Sequence, residues 1–167
     1  GWDLYNTALR QDRAADYASE TENAGLLQLR DAEGNSKSWL GSVMRDKYSA
    51  RVWRPLTEKD YFEISFSTKG YKNIKVAAAM GDDYNAYSVN YMQVSTNGTD
   101  FTTVGTYNLP NRGWESKEFA LPATCEEQSK IWVRFMPDYA SPLTGVESVN
   151  DGTAVAEIFV LADSNQA

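Results

Sequence analysis

Apolar and polar residues alternate along most of the chain from Tyr61 onward. The segment YFEISFS at 61–67 places Phe62, Ile64 and Phe66 on one face and the intervening residues on the other. The same period of two continues through NIKVAAAM, VNYMQVS, FTTVGTYNL, WESKEFALP, KIWVRFM and AVAEIFVLA. Turn residues separate these runs, and Asn97-Gly98 is a hairpin signal because both turn positions tolerate a positive φ. Seven or eight short strands at this spacing predict an all-β, antiparallel sandwich or barrel.

Residues 1–60 alternate less regularly. The segments GLLQLRD and SARVWRP are predicted strands, the second ended by Pro55, whereas TALRQDRAADYASE is interpreted either as a short helix or as an irregular flank. The chain carries no internal repeat, linker or low-complexity run, and 167 residues suit one domain. We therefore expect residues 1–167 to form a single β-sandwich domain excised from a larger multidomain secreted protein. The predicted core contains Phe62, Ile64, Phe66, Ile74, Val76, Val94, Val133, Phe135, Ile158 and Val160.

Charge and composition argue against several classes of function. The formal net charge of -7 disfavours a nucleic-acid partner, because phosphate binding needs clustered cations, and it disfavours an anionic membrane surface. The absence of His removes His-based triads and His ligands of zinc, and the single Cys125 permits no internal disulfide. No apolar run approaches the length of a membrane span. No motif places the carboxylate pairs of the sequence as acid and base, so we expect the protein not to be an enzyme.

Five pieces of the chain together resemble a known family. In order they are YFEISFSTKGYKNIKVAAAMG, MQVSTNGTDFTTV, WESKEFALP, IWVRF and AVAEIFVLA. They are similar to the galactose-binding-like, carbohydrate-binding-module-type β-sandwich modules of bacterial polysaccharide-degrading and cell-surface proteins. The resemblance implies an antiparallel jelly-roll sandwich attached to a glycan-active protein. Ala156 stands where the family's final strand often has Asp, which argues against a calcium site carried over through that carboxylate.

A sugar-binding surface needs flat aromatic rings, because the C–H edge of a pyranose stacks on a ring of similar size. Aromatic residues make up 13% of this hydrophilic chain. In IWVRFM, core positions for the alternate residues place Trp132 and Arg134 on the outer face, and Gln93 occupies an outer position of a neighbouring strand. The alternative is that Trp132 packs under a loop and Arg134 pairs with a surface acid. Small outer residues at Ala77 and Ala79 are expected either to leave a groove beside these rings or to lie beneath a loop.

Loops supply the remaining candidates. GDDYNAY brings two Tyr rings together with carboxylate and amide groups that suit sugar hydroxyls, and the same oxygens suit a calcium ion, so a structural calcium site stays an alternative to a solvated turn. Two Trp residues before residue 60 occupy segments in which an exposed ring is plausible. The predicted ligand-binding residues are Trp132, Arg134, Trp53, Tyr84, Tyr87, Gln93 and Trp39.

These patterns predict a non-catalytic, extracellular carbohydrate-binding module that targets an attached enzyme or a cell-surface assembly to a polysaccharide. The expected partners are a polysaccharide or oligosaccharide and other domains of a larger polypeptide, with no nucleic acid, no membrane span and no cofactor. Two alternatives stay open: a protein–protein interaction or scaffold module of the same fold, and a small glycan-active enzyme. The sequence does not choose among β-glucan, xyloglucan, mannan, pectin and starch. The acidic net charge disfavours a polyuronate such as pectin unless a local basic patch overrules it.

Overall fold

The computed structural model describes residues 1, 2, 4, 12–16, 25–44, 46–52, 59–82, 86–110, 112–143 and 152–165. These residues form β-strands and one short 3₁₀ turn at Ala123–Cys125. The strands are β1 (Arg13–Ala14), β2 (Leu26–Arg30), β3 (Ser36–Lys37), β4 (Leu40–Met44), β5 (Lys47–Arg51), β6 (Tyr61–Phe66), β7 (Tyr71–Gly81), β8 (Val89–Ser95), β9 (Thr102–Asn108), β10 (Trp114–Ala120), β11 (Ile131–Pro137) and β12 (Ala154–Ser164). Among the described residues, no helix is long and apolar enough to cross a membrane.

Two antiparallel sheets enclose the core. The seven-stranded sheet has the order β1-β2-β6-β11-β8-β9, with β3 pairing to β2, and the five-stranded sheet has the order β10-β7-β12-β5-β4. Buried residues of both sheets belong to one hydrophobic cluster, so the inner faces pack against each other. The predicted antiparallel β-sandwich is confirmed. Segment 7–20 is described only at 12–16, where β1 pairs with β2, and the remainder of the proposed short helix lies outside the described residues.

The core follows the period-two pattern of the sequence. Nine of the ten predicted core residues are buried, and the tenth, Val160, is partly buried against the same cluster. Trp2 is also buried, at 1% exposure, and its backbone pairs with Ile158 of β12. The inter-sheet space is therefore filled by alternate residues of each strand, and the intervening residues of the seven-stranded sheet lie on its outer face.

A hairpin turn joins β8 and β9 of that sheet. Residues 96–101 connect β8 to β9, and Gly98 adopts a φ of +83°. The Asn97 Oδ1 accepts hydrogen bonds from the backbone N–H groups of Thr99 and Asp100, both at 2.9 Å. A side chain that satisfies the turn's own N–H groups fixes its conformation, as the Asn-Gly pair predicts.

Candidate functional site

A row of polar side chains crosses the outer face of the seven-stranded sheet. The strand register places Gln28 beside Glu63, Glu63 beside Arg134, and Arg134 beside Gln93. On the edge strand, Thr103 is the partner of Gln93. Since partners in register point to the same face and lie close together, these five side chains form a continuous line over β2, β6, β11, β8 and β9. We call this line the polar row.

Hydrogen bonds hold the polar row in a fixed orientation. Arg134 donates through Nε to Gln93 Oε1 at 2.8 Å, and Gln93 donates through Nε2 to Thr103 Oγ1 at 3.1 Å. At the other end, Arg30 donates through Nε to Glu63 Oε1 at 2.8 Å and through Nη2 to Gln28 Oε1 at 2.7 Å. These polar groups are therefore oriented before any ligand arrives.

Aromatic rings flank the centre of the polar row. The Arg134 Cζ lies 3.8 Å from the ring centroid of Phe101 and 5.8 Å from that of Tyr61. Both rings are half-buried, so each covers the guanidinium and still presents part of its surface to solvent. A cation held against rings gains electrostatic stabilisation from their π-systems. The geometry fixes Arg134 between two aromatic residues.

Trp132 lies on the same face of β11 as Arg134. Its cross-strand partners are Ser65 and Ser95, whose small side chains leave room beside the indole. A Cβ added at Gly98 would lie 3.3 Å from the indole Cε2 and Cζ2, so the hairpin turn rests against one part of the ring. The indole is half-buried, and the Lys130 Nζ lies 5.1 Å from its ring. The turn packs against one part of the indole and does not cover it completely.

Tyrosine hydroxyls border the face at the opposite end. The Tyr91 hydroxyl donates to Asp138 Oδ2 at 3.2 Å, and this carboxylate raises the pKa of Tyr91. The Tyr139 hydroxyl donates to the Lys59 carbonyl at 2.9 Å, and burial raises the pKa of Tyr139 to about 12. Burial is also the main cause that raises the pKa of Tyr61. All three hydroxyls keep their protons at neutral pH, and those of Tyr91 and Tyr139 act as hydrogen-bond donors.

Three of the predicted ligand-binding residues lie together on this face: Trp132, Arg134 and Gln93. The sequence left two interpretations open: a Trp132–Arg134 pair exposed to ligand, or a Trp132 packed under a loop with Arg134 paired to an acid. The structure contains features of both. The hairpin turn packs on the Trp132 ring, yet the residue is only partly buried. Arg134 binds an amide and an aromatic ring, and no carboxylate of the described residues lies within ion-pair distance of it.

Two predicted residues are corrected, because their rings are buried. Trp39 is 3% exposed and packs edge-on against Phe62, with the ring centroids 6.0 Å apart. It lies between β3 of one sheet and β4 of the other, so the chain crosses between the sheets here and the indole fills the interior. Tyr87 is 4% exposed, because its backbone bridges to Pro142 and its ring packs against that of Tyr139 at 5.1 Å. Trp53 and Tyr84 lie outside the described residues.

The expected groove beside small alanines is also corrected. Ala77 and Ala79 belong to β7 of the five-stranded sheet, so they do not neighbour Trp132. Ala79 is 1% exposed on that sheet, across which the Trp114 indole N–H donates to the Met44 carbonyl at 3.1 Å. Ala79 is therefore covered, whereas Ala77 is only partly buried.

The loop proposed for calcium is only partly described. Asp82 is buried, and its Oδ1 accepts a hydrogen bond from the Gly113 N–H at 3.1 Å. Asp83 and Asn85 lie outside the described residues. Within the described ranges no three His, Cys, Asp or Glu side chains come together as metal ligands.

Residues that sequence reasoning missed on this face include Tyr61, Glu63 and Phe101. The alternation of β6 already assigned Tyr61 and Glu63 to the face opposite the core, so the signal for both was present in the sequence. Phe101 had no such signal, because it precedes β9 directly and its ring position depends on the geometry of the 96–101 turn. The pairing of β11 with both β6 and β8 is what brings these residues beside Arg134.

No protein-family model and no curated protein sequence matches the chain. Among solved structures, the K1 cleaved adhesin domain of Lys-gingipain from Porphyromonas gingivalis W83 aligns with a TM-score of 0.51 and 12% identity, over 92% of this chain and 98% of that one. The two proteins share a β-sandwich fold. The CBM22-2 xylan-binding domain of Paenibacillus barcinonensis Xyn10C aligns at 0.49 and 11% identity, over 97% and 98%. TmCBM61, solved with β-1,4-galactotriose, aligns at 0.48 and 13% identity, over 82% and 88%.

Proposed function

We propose that the protein is a non-catalytic carbohydrate-binding module whose ligand lies across the outer face of the seven-stranded sheet. The observation that carries this proposal is the polar row with its flanking rings. Amide and guanidinium groups offer donors and acceptors to sugar hydroxyls, and the buried Glu63 carboxylate holds Arg30 in place. The partly buried residues Trp132, Tyr61 and Phe101 offer apolar ring surface to pyranose C–H groups.

The hydrogen bonds within the row also favour binding. A ligand that orders flexible side chains loses about 0.5 to 1.5 kcal/mol for each one that it immobilises. Here Arg134, Gln93 and Thr103 are already linked, as are Arg30, Glu63 and Gln28. A sugar chain that meets this row therefore loses little free energy to side-chain ordering.

The length and direction of the polar row suit the binding of an extended polymer. The row runs across five strands, perpendicular to them, so it spans several times the strand spacing of about 4.8 Å. A face of that extent accommodates more than one sugar unit. We infer that the module holds an attached enzyme or cell-surface assembly against an extracellular polysaccharide, and that the parent protein is secreted.

Affinity electrophoresis tests this proposal. The protein is run in native gels that contain β-glucan, xyloglucan, xylan, mannan, galactan, pectin or starch, beside the variants Trp132→Ala and Phe159→Ala. Phe159 is the matched control, because it is an aromatic residue of β12 that is 39% exposed on the other sheet. We expect at least one polysaccharide to retard the wild type and Phe159→Ala, and to retard Trp132→Ala much less.

Far-ultraviolet circular dichroism of each variant shows whether it is folded. The proposal is wrong if no polysaccharide of the panel retards the wild type, an outcome that would favour a scaffold module. The site is wrong if folded Trp132→Ala is retarded as strongly as the wild type.

A further inference from the structure

Arg134 differs from two other cations of the seven-stranded sheet. Arg30 forms an ion pair with Glu63, with Nε and Oε1 2.8 Å apart, and Lys37 forms one with Asp60 at 2.8 Å. Arg134 is the register partner of Glu63, but that carboxylate is bound to Arg30. Within the described part of the chain, no carboxylate forms an ion pair with Arg134.

The contacts of Arg134 leave part of its guanidinium available. A guanidinium carries five N–H donors in a planar fork. Its Nε donates to Gln93 Oε1, and its Cζ lies 3.8 Å from the ring centroid of Phe101. The neighbouring Tyr61 hydroxyl accepts a hydrogen bond from Arg134, which leaves other N–H groups of the guanidinium unused. The two terminal nitrogens thus retain N–H donors in a group whose orientation is already fixed.

Charged groups of both signs surround Arg134. The Lys130 Nζ lies 5.1 Å from the Trp132 ring on the same face. The carboxylates at the borders accept hydrogen bonds from uncharged groups and keep their negative charge: Asp12 accepts from Gln28, Asp138 from Tyr91, and Asp100 from Asn97. Charges separated by more than about 8 Å are largely screened at physiological ionic strength, so a ligand at Arg134 meets the groups of this face and not the overall net charge of -7.

We propose that the face binds an acidic polysaccharide and that Arg134 receives the carboxylate of a uronic acid unit. This inference rests on the proposed carbohydrate-binding function and names the ligand class. A carboxylate is planar and accepts two parallel N–H bonds from one guanidinium, so it matches the group that the structure holds in place. The ring contacts orient the cation, and the flanking rings of the face receive the C–H edge of the same or the next sugar.

The experiment compares acidic polymers with their neutral counterparts. Native gels contain polygalacturonate, alginate or glucuronoxylan, or the carboxyl-reduced form of each, which keeps the linkage and removes the charge. We expect at least one acidic polymer to retard the protein, and its reduced form to bind at least about tenfold more weakly, as the loss of a hydrogen-bonded charge predicts.

Variants assign the preference to Arg134. Arg134→Gln is expected to bind the acidic polymer about tenfold or more weakly, and Arg134→Lys is expected to be intermediate because it keeps the charge and loses the planar fork. Lys75→Gln is the matched control, since it makes the same charge change at a half-exposed residue of the five-stranded sheet. We expect it to bind as the wild type does.

The outcomes separate this inference from the proposed function. Equal retardation by an acidic polymer and its reduced form overturns the uronate assignment and leaves carbohydrate binding in place. Retardation by no acidic and no neutral polymer overturns both. If Lys75→Gln weakens binding as much as Arg134→Gln in folded proteins, the effect is one of net charge and the assignment to Arg134 is wrong.

Discussion

Gly98→Ala perturbs the contact between the hairpin turn and the Trp132 ring. Gly98 has a φ of +83°, and an alanine in this left-handed region costs about 1 to 2 kcal/mol. The new Cβ would also lie 3.3 Å from the indole, so the ring has to move by a few tenths of an ångström. We therefore expect the free energy of unfolding to fall by about 1 to 2 kcal/mol, and the ring to leave the position in which a sugar stacks on it.

A second glycine separates the two effects. Gly70 has a φ of +85°, and a Cβ there meets no atom within 4 Å. Gly70→Ala thus introduces the same backbone strain without touching Trp132. Urea unfolding monitored by circular dichroism is expected to show a similar loss of stability in both variants, whereas only Gly98→Ala is expected to lose affinity for the retarding polysaccharide.

Two results would refute this reasoning. If the free energy of unfolding of Gly98→Ala lies within about 0.3 kcal/mol of the wild-type value, the turn does not require its left-handed glycine. If both variants are destabilised and both bind as the wild type does, the position of the Trp132 ring has no part in ligand binding.

Three further predictions concern stability. The buried Tyr107 donates its hydroxyl to the Ala78 carbonyl of the other sheet at 3.0 Å, so Tyr107→Phe is expected to lower the free energy of unfolding by about 1 to 2 kcal/mol in urea titrations; an unchanged midpoint would contradict this. Burial raises the pKa of Tyr107, and raises that of Tyr139 to about 12, while an unfolded tyrosine titrates near pH 10. The unfolded chain loses these protons first, so stability present below about pH 10 should decline as the pH rises to 12, and a constant urea midpoint over that range would refute it. A Cβ at Gly105 would lie 2.3 Å from the Phe119 ring, so Gly105→Ala should cost about 1 to 3 kcal/mol and lower the thermal midpoint; an unchanged midpoint would show that the ring moves freely.

The sequence predicted the strands from β6 onward because apolar and polar residues alternate along them, whereas β1, β3 and β4 were not predicted. In β6 and β11 a period of two suffices to assign Ile64 and Val133 to the interior and Trp132 and Arg134 to the outside. The same pattern repeats in the other long strands. The sandwich could therefore be predicted from the sequence, and nine of the ten core residues that it named are buried.

Alternation does not determine which strands are neighbours. It placed Ala77 and Ala79 on an outer face correctly, but β7 pairs with β10 and β12 in the other sheet, so these alanines are remote from Trp132. Trp39 was misassigned for a related reason, since a short segment that crosses between sheets has no alternation from which burial can be read. The register that brings Gln93 beside Arg134 is likewise a long-range property.

Nuclear magnetic resonance mapping locates the ligand on the protein. The protein is titrated with an oligosaccharide of the polysaccharide that retards it, and the backbone amide and indole N–H signals are followed. We predict that the signals of the Trp132 indole and of β6, β8 and β11 shift, while the Trp114 indole, which is bound to the Met44 carbonyl at the five-stranded sheet, stays in place. Shifts confined to the five-stranded sheet, with the Trp132 indole unmoved, would contradict binding at the polar row.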